Sequence, residues 1–240
     1  MAFGLGIQAF GDGFRTVRSP GLRRYTWLPA LVSLGVVAVG LWVTFGYMDA
    51  LSAWLTDRLP DWLDFLGAVL TPILYLLGVL VGTWLFGFLA ALIASPFLGD
   101  LSLAVERRHG SGPAAPPGLL AGAVGALGRE GRKLLYHLPR LLGVFVLTLI
   151  PLINAAAPVL WFLFGAWTLA VQFADYPLEN RGRPFRDTLT LLRANRAAAL
   201  GFGACATLAL AVPLVNFLLV PVAVAGGTLL WLRLDAQENP

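Results

Sequence analysis

Four long stretches of this chain contain no charged side chain, and together they take up more than half of its 240 residues. They run from Tyr25 to Met48, from Phe65 to Gly99, from Leu141 to Ala174 and from Ala197 to Leu232. A membrane-spanning helix needs about 20 predominantly apolar residues, so each stretch is long enough for a crossing. Only 12% of the residues are charged, about half the share found in soluble domains. The sequence therefore predicts an all-α integral membrane protein, because helices satisfy their own backbone hydrogen bonds in lipid.

The distribution of positive charge predicts which loops face the cytoplasm. Of the 17 Lys and Arg residues, all but Arg58 lie before the first stretch, after the fourth, or in the two segments that flank the third. The segment 49–64, which contains Arg58, is net acidic. By the positive-inside rule, both termini and the large loops are cytoplasmic, and 49–64 lies outside.

The first two stretches are interpreted as single crossings within one membrane domain, 1–240. The first predicts a transmembrane helix over 25–48. The second predicts a tilted transmembrane helix over 65–106, whose end continues into the cytoplasm. A Gly- and Pro-rich linker over 110–118 then separates this half from the rest of the chain.

The third and fourth stretches share an internal repeat that predicts two helical hairpins. Pro151-Leu152-Ile153-Asn154 with Pro158 in one is echoed by Pro213-Leu214-Val215-Asn216 with Pro221 in the other. Helix breakers at mid-stretch leave segments that are short for a full crossing. We therefore predict partly inserted, hemi-penetrating hairpins over 141–174 and 197–232. Two pairs of short full spans have the same sidedness and remain an alternative.

Each hairpin is preceded by a basic segment, Leu127–Arg140 and Phe185–Arg196. In the second segment, apolar and basic residues recur at helical spacing. This pattern predicts amphipathic helices at the cytoplasmic interface, with anchoring to anionic lipids as their simplest role.

The sharpest candidate for a binding site is Ser19-Pro20-Gly21-Leu22-Arg23-Arg24, just before the first stretch. Ser and Pro favour a helix start, where free N–H groups and the helix dipole attract anions. Arg23 and Arg24 would complete a site for a tetrahedral oxyanion. Alternatively, these arginines act only as topology determinants. Glu106, Arg107 and Arg108 form the next polar cluster; they would either line a pore or vestibule, or form a solvated helix end.

The sequence offers no constellation for catalysis or for a cofactor. It contains no Walker-type loop, no nucleophile motif and no cluster of residues at metal-ligand spacing, so we expect no enzymatic activity, no cofactor and no metal. The apolar stretches also contain no ionisable group of the kind that relays protons in pumps. Passive movement of a solute, or a structural role, is therefore favoured over pumping.

Several segments resemble the CysZ family of bacterial sulfate permeases, within the etoposide-induced membrane protein superfamily. They are Ala94–Glu106 (ASPFLGDLSLAVE), Arg129–Arg140 (REGRKLLYHLPR), Gln172–Asn180 (QFADYPLEN), Gly21-Leu22-Arg23 and Leu200–Gly203 (LGFG). The resemblance implies an all-helical inner-membrane protein with two long transmembrane helices and two partly inserted hairpins. It also implies sulfate uptake for cysteine biosynthesis, without ATP hydrolysis by the chain itself.

The same resemblance implies a position for the sulfate. The Gly-Leu-Arg motif at the start of the first membrane helix places sulfate at Gly21, Leu22 and Arg23, followed here by Arg24. It further implies a homo-oligomer whose protomers insert in opposite orientations, whereas the arginine bias predicts one orientation; both remain open. The alternative function is a non-transporting membrane scaffold or lipid-remodelling protein, in which the basic helices and hairpins grip one leaflet.

Overall fold

The computed structural model describes residues 2–113, 119–212 and 216–238. These residues form α-helices and one 3-10 helix, Asp61–Leu63, and contain no β-strand, which confirms the prediction of an all-α protein. The α-helices are α1 (Ala2–Val17), α2 (Arg24–Thr56), α3 (Asp64–Arg108), α4 (Leu119–Thr148), α5 (Pro151–Asn154), α6 (Ala157–Ala174), α7 (Tyr176–Asn180), α8 (Phe185–Ala194), α9 (Arg196–Leu210) and α10 (Asn216–Glu238).

Four helices are long and apolar enough to cross a membrane. The candidate spans are Leu31–Thr56, Phe65–Ala90, Ala157–Asn180 and Leu219–Gln237. The first two overlap the stretches that predict single crossings, although the first span continues past Met48 to Thr56. The other two each overlap a predicted hairpin and extend beyond its C-terminal end. How deeply those hairpins insert stays a prediction.

The chain divides into two compact units. The core unit consists of Met1–Thr26 together with Leu98–Pro240, and the two-helix unit is Trp27–Phe97. The sequence instead predicted a division at the linker 110–118, of which 114–118 lie outside the described residues. The difference arises because α1 packs against α9 and α10, so the N-terminal segment belongs with the C-terminal half.

The two-helix unit is an antiparallel pair formed by α2 and α3. Opposed contacts follow a constant register, with Gly40 facing Phe86, Thr44 facing Gly82, and Met48 facing Gly78. The Tyr75 hydroxyl of α3 also donates a hydrogen bond to the Asp49 carboxylate of α2. The outward faces of both helices carry exposed apolar side chains such as Trp42 and Trp84, as expected where the solvent is lipid.

The core unit is held together by close contacts between α1, α6, α9 and α10. A Cβ added to Gly203 of α9 would lie 1.8 Å from the Ala166 carbonyl oxygen of α6, and one added to Gly6 of α1 would lie 2.0 Å from that of Ala198. The large side chain of Phe202 is fully buried among these helices. Small residues allow backbones to approach in this way, which is the usual packing of helices in membranes.

The predicted helix breaks fall at the two Pro-Leu-x-Asn motifs. In the first, α4 ends at Thr148, the short α5 covers Pro151–Asn154, and α6 begins at Ala157. In the second, α9 ends at Leu210 and α10 begins at Asn216; Pro213, Leu214 and Val215 lie outside the described residues.

The two helices predicted at the interface differ in what they bury. On α4, Leu134, Leu135 and Leu138 are exposed, as an interfacial helix requires. On α8, by contrast, Phe185 and Leu192 are buried in the core unit. The apolar face of α8 therefore packs against protein, which leaves only its polar face available to lipid headgroups.

Candidate functional site

The predicted anion site lies in the turn that joins α1 to α2. Ser19 closes α1, since its N–H and its hydroxyl both donate to the Thr16 carbonyl, at 3.0 and 2.6 Å. Gly21 has φ +90°, a left-handed conformation that glycine adopts without strain. No atom lies within 4 Å of where its Cβ would be, so conformation rather than space requires glycine here.

Leu22 anchors this turn. Its side chain is only 5% exposed and belongs to the apolar core. Its N–H donates to the Ser19 carbonyl at 3.2 Å, and its own carbonyl accepts from the Tyr25 N–H at 3.1 Å, where α2 begins. Leu22 therefore shapes the turn, while the hydrogen of its amide is already used within the protein.

The two arginines of the motif are exposed on the same turn. Arg23 donates from Nε to the Arg18 carbonyl at 2.8 Å, which leaves its terminal nitrogens for other partners. Arg24 donates from Nη2 to the Tyr25 hydroxyl at 3.0 Å and stacks on that ring. We call residues 18–24, with Arg18, Arg23 and Arg24, the arginine turn.

The arginine turn carries three positive charges, those of Arg18, Arg23 and Arg24. None of the ion pairs formed by the described residues involves Arg18, Arg23 or Arg24. Asp12, on the preceding helix, pairs with Arg15 and Arg233 instead. Exposed guanidinium groups around a tight turn form a good environment for an oxyanion.

The second group of predicted residues is separated by the structure. Glu106 is fully buried and pairs with Arg181, which also donates to Ser111 Oγ at 2.8 Å and lies over the Trp231 ring. Burial raises the pKa of Glu106 above its ordinary value, although Arg181 opposes this shift. Arg107 and Arg108 are exposed at the end of α3.

Only one of these exposed arginines reaches the arginine turn. Arg108 donates from Nη1 to Ser19 Oγ. The stem of Arg107 instead lies beside Gly112, where an added Cβ would come within 3.3 Å of Arg107 Cγ. The structure thus joins Arg108 to Ser19 of the arginine turn and leaves Glu106 in an internal ion pair.

A second buried charge cluster was missed by sequence reasoning. The Asp175 carboxylate is fully buried and accepts two hydrogen bonds from Arg129, at 2.6 and 2.5 Å. Lys133 Nζ lies 3.1 Å from the same group, and the Thr188 hydroxyl donates to it. These residues connect α4 and α8 to the end of α6. Arg129, Lys133 and Asp175 all belong to segments that carry the family resemblance, which was the available signal.

The sequence is similar to known proteins along nearly its whole length. Residues 9–221 match the family model described as Sulfate transporter CysZ/Etoposide-induced protein 2.4. The chain belongs to this family. It is 40% identical over 240 residues to a Sulfate transporter CysZ of Pseudomonas paraeruginosa, covering 97% of this chain and 96% of the relative. The corresponding protein of Pseudomonas fluorescens is 41% identical, with 98% and 95% covered, and that of Salmonella typhi is 38% identical, with 94% and 91% covered. Relatives of the CysZ family that match this chain are thus named as transporters.

Proposed function

We propose that this chain is a permease that carries sulfate across the bacterial inner membrane into the cytoplasm, where it supplies cysteine biosynthesis. The observation that carries the proposal is full-length similarity, at about 40% identity, to proteins named sulfate transporters. A permease must be embedded in the membrane, and four helices of this chain are long and apolar enough to cross one.

The sulfate-binding site of this proposal is formed by Gly21, Leu22, Arg23 and Arg24. Gly21 and Leu22 set the shape of the turn, and the exposed guanidinium groups of Arg23 and Arg24 replace part of the hydration shell of the ion. Among the described residues, no ion pair involves Arg23 or Arg24, which supports this assignment. Because an ion in transit must also leave, the affinity should be modest.

The C-terminal end of α3 is proposed to line the cytoplasmic vestibule. Arg107 and Arg108 present positive charge there, and both are exposed. Arg181 neutralises the Glu106 carboxylate in the interior, so this acidic group does not repel sulfate. The arginine bias supports cytoplasmic termini, and the family resemblance supports a homo-oligomer with partly inserted hairpins.

Sulfate binding to the purified, detergent-solubilised protein tests the site. Wild type is compared with Arg23→Ala, with phosphate and chloride as competitors, and with Arg132→Ala as a control for the loss of an exposed positive charge. We expect selective sulfate binding in the wild type and the control, and at least a tenfold weaker affinity in Arg23→Ala, because a charge-assisted hydrogen bond is lost. Unchanged affinity in a folded Arg23→Ala variant would remove the site assignment.

Transport itself is tested in liposomes. A permease moves sulfate in preference to chloride and leaves vesicle shape unchanged. Leakage or a change of vesicle shape that is independent of the anion would instead support the lipid-remodelling alternative.

A further inference from the structure

Arg108 meets the arginine turn from a distant part of the chain, 89 residues beyond Ser19. Ser19 Oγ accepts the hydrogen bond from Arg108 and donates its own hydrogen to the Thr16 carbonyl at 2.6 Å. A hydroxyl has one hydrogen to donate and lone pairs to accept, so this arrangement satisfies both roles of Ser19. The serine therefore holds the Arg108 side chain at the turn.

The guanidinium of Arg108 retains unused donors in this position. A guanidinium carries five N–H groups in a rigid fork that suits oxyanions, and the contact with Ser19 occupies only one nitrogen. No ion pair among the described residues involves Arg108. Its charge adds to that of Arg23 and Arg24, which also take part in none of these ion pairs.

We infer that Arg108 is a further sulfate-binding residue, held at the arginine turn by Ser19. The inference rests on the proposed function and extends the site from the start of α2 to the end of α3. An additional guanidinium favours a divalent anion over a monovalent one, because Coulomb attraction scales with the charge of the ion. Arg108 thereby contributes to the preference for sulfate over chloride.

Equilibrium sulfate and chloride binding to Arg108→Gln, Arg108→Lys and Ser19→Ala tests this inference. Arg108→Gln should weaken sulfate binding about tenfold and chloride binding less, since one charge-assisted contact is lost. Arg108→Lys keeps the charge and should retain most of the affinity. Ser19→Ala keeps every guanidinium but frees Arg108, so its affinity should fall between those of Arg108→Gln and wild type.

Arg186→Gln provides the matched control. Arg186 is exposed on α8, and the substitution removes the same charge away from the arginine turn. We expect its sulfate affinity to stay within about twofold of wild type, as for an exposed charge in screening solvent. Melting temperatures of all variants show whether each is folded, and Arg108→Lys and Ser19→Ala keep the test decisive should Arg108→Gln unfold.

The outcomes separate this inference from the proposed function. Wild-type sulfate affinity in folded Arg108→Gln, with binding lost in Arg23→Ala, would overturn the inference and leave the proposed function standing. Absence of sulfate binding in the wild type would overturn both.

A phospholipid headgroup also contains a tetrahedral oxyanion, its phosphate, so each variant is also assayed in phosphatidylglycerol-containing micelles. If Arg108→Gln reduces the amount of bound phosphatidylglycerol but leaves the sulfate affinity unchanged, Arg108 binds lipid rather than sulfate, and the inference fails.

Discussion

The two units use glycine in different ways. In the core unit, glycines meet backbone atoms: an added Cβ would lie 1.8 Å from the Ala166 carbonyl oxygen at Gly203, and 2.4 Å from that of Phe173 at Gly227. In the two-helix unit they meet side chains, such as Phe86 at Gly40 and Met48 at Gly78. A backbone atom cannot move without shifting its whole helix, whereas a side chain can change rotamer. The core unit should therefore tolerate far less change than the two-helix unit.

The helices of the core unit are also more deeply buried than those of the two-helix unit. Of the candidate spans, Leu31–Thr56 and Phe65–Ala90 are 11% and 17% buried, whereas Leu219–Gln237 is 67% buried. All three are apolar, but the first two present their side chains outward and the third packs within the core unit. Apolar helices are therefore found in two environments: the first two face lipid, and the third packs against protein.

The largest effect is expected from removing the charge of Asp175 in the core unit. Asp175→Asn leaves the buried Arg129 side chain without its carboxylate partner and removes one of the two carboxylates that pair with Lys133, which keeps Glu130. Breaking a buried ion pair in this way costs about 3–5 kcal/mol. Asp187→Asn is the control, because Asp187 pairs with a half-exposed Arg183 at 2.9 Å, and such pairs contribute about 0–1 kcal/mol. Thermal unfolding in detergent measures both; equal melting temperatures would show that the buried cluster does not stabilise the core unit.

A second experiment compares the two kinds of glycine contact directly. Gly203→Ala should destabilise by about 1–3 kcal/mol or more, because α6 and α9 must separate to admit the methyl group. Gly78→Ala should have a much smaller effect, since the Met48 side chain can move and alanine favours a helix by up to about 1 kcal/mol. If both substitutions lower the melting temperature equally, the proposed difference between the units is wrong.

The smallest expected effect is a pH dependence that originates at Glu106. Burial raises the folded-state pKa of Glu106 above its ordinary value of 4.5, so above pH 4.5 the folded protein binds more protons than the unfolded chain. This contribution to stability is fully present below pH 4.5 and is lost as the pH rises through the raised pKa. Glu106→Gln does not titrate, so the melting temperature of the wild type relative to this variant should decline from pH 4 towards pH 7. A difference that is constant, or that grows with pH, would contradict this sign.

Much of the fold could be predicted from local sequence. The long stretches without charged residues identified the long helices, and the Pro-Leu-x-Asn repeat identified where the helices break. Both signals depend on residues that are adjacent in the chain. The position of the Gly-Leu-Arg motif before the first membrane helix was likewise visible. Whether sulfate binds there stays a prediction.

The remaining features depend on pairings that are distant in sequence. The periodicity of α8 shows an apolar face, but it does not distinguish a lipid surface from the protein core that buries Phe185 and Leu192. Glu106 stands beside two arginines in sequence, yet its partner is Arg181, 75 residues away. Ser19 and Arg108 were both candidates, but only tertiary structure brings them together.

The packing of α1 has a consequence for biosynthesis. Asp12 on α1 pairs with Arg233 on α10, 221 residues further along the chain. A ribosome adds roughly 5–20 residues per second, so α1 emerges at least about ten seconds before its partner exists. Until α10 exists, the part of α1 that carries Ala9 and Gly13 has no native surface to cover it, because both residues contact Gly226 of α10. Completion of the core unit must therefore follow synthesis of α10. Destabilising substitutions on this part of α1 should therefore act most strongly on newly made protein, before α10 has docked.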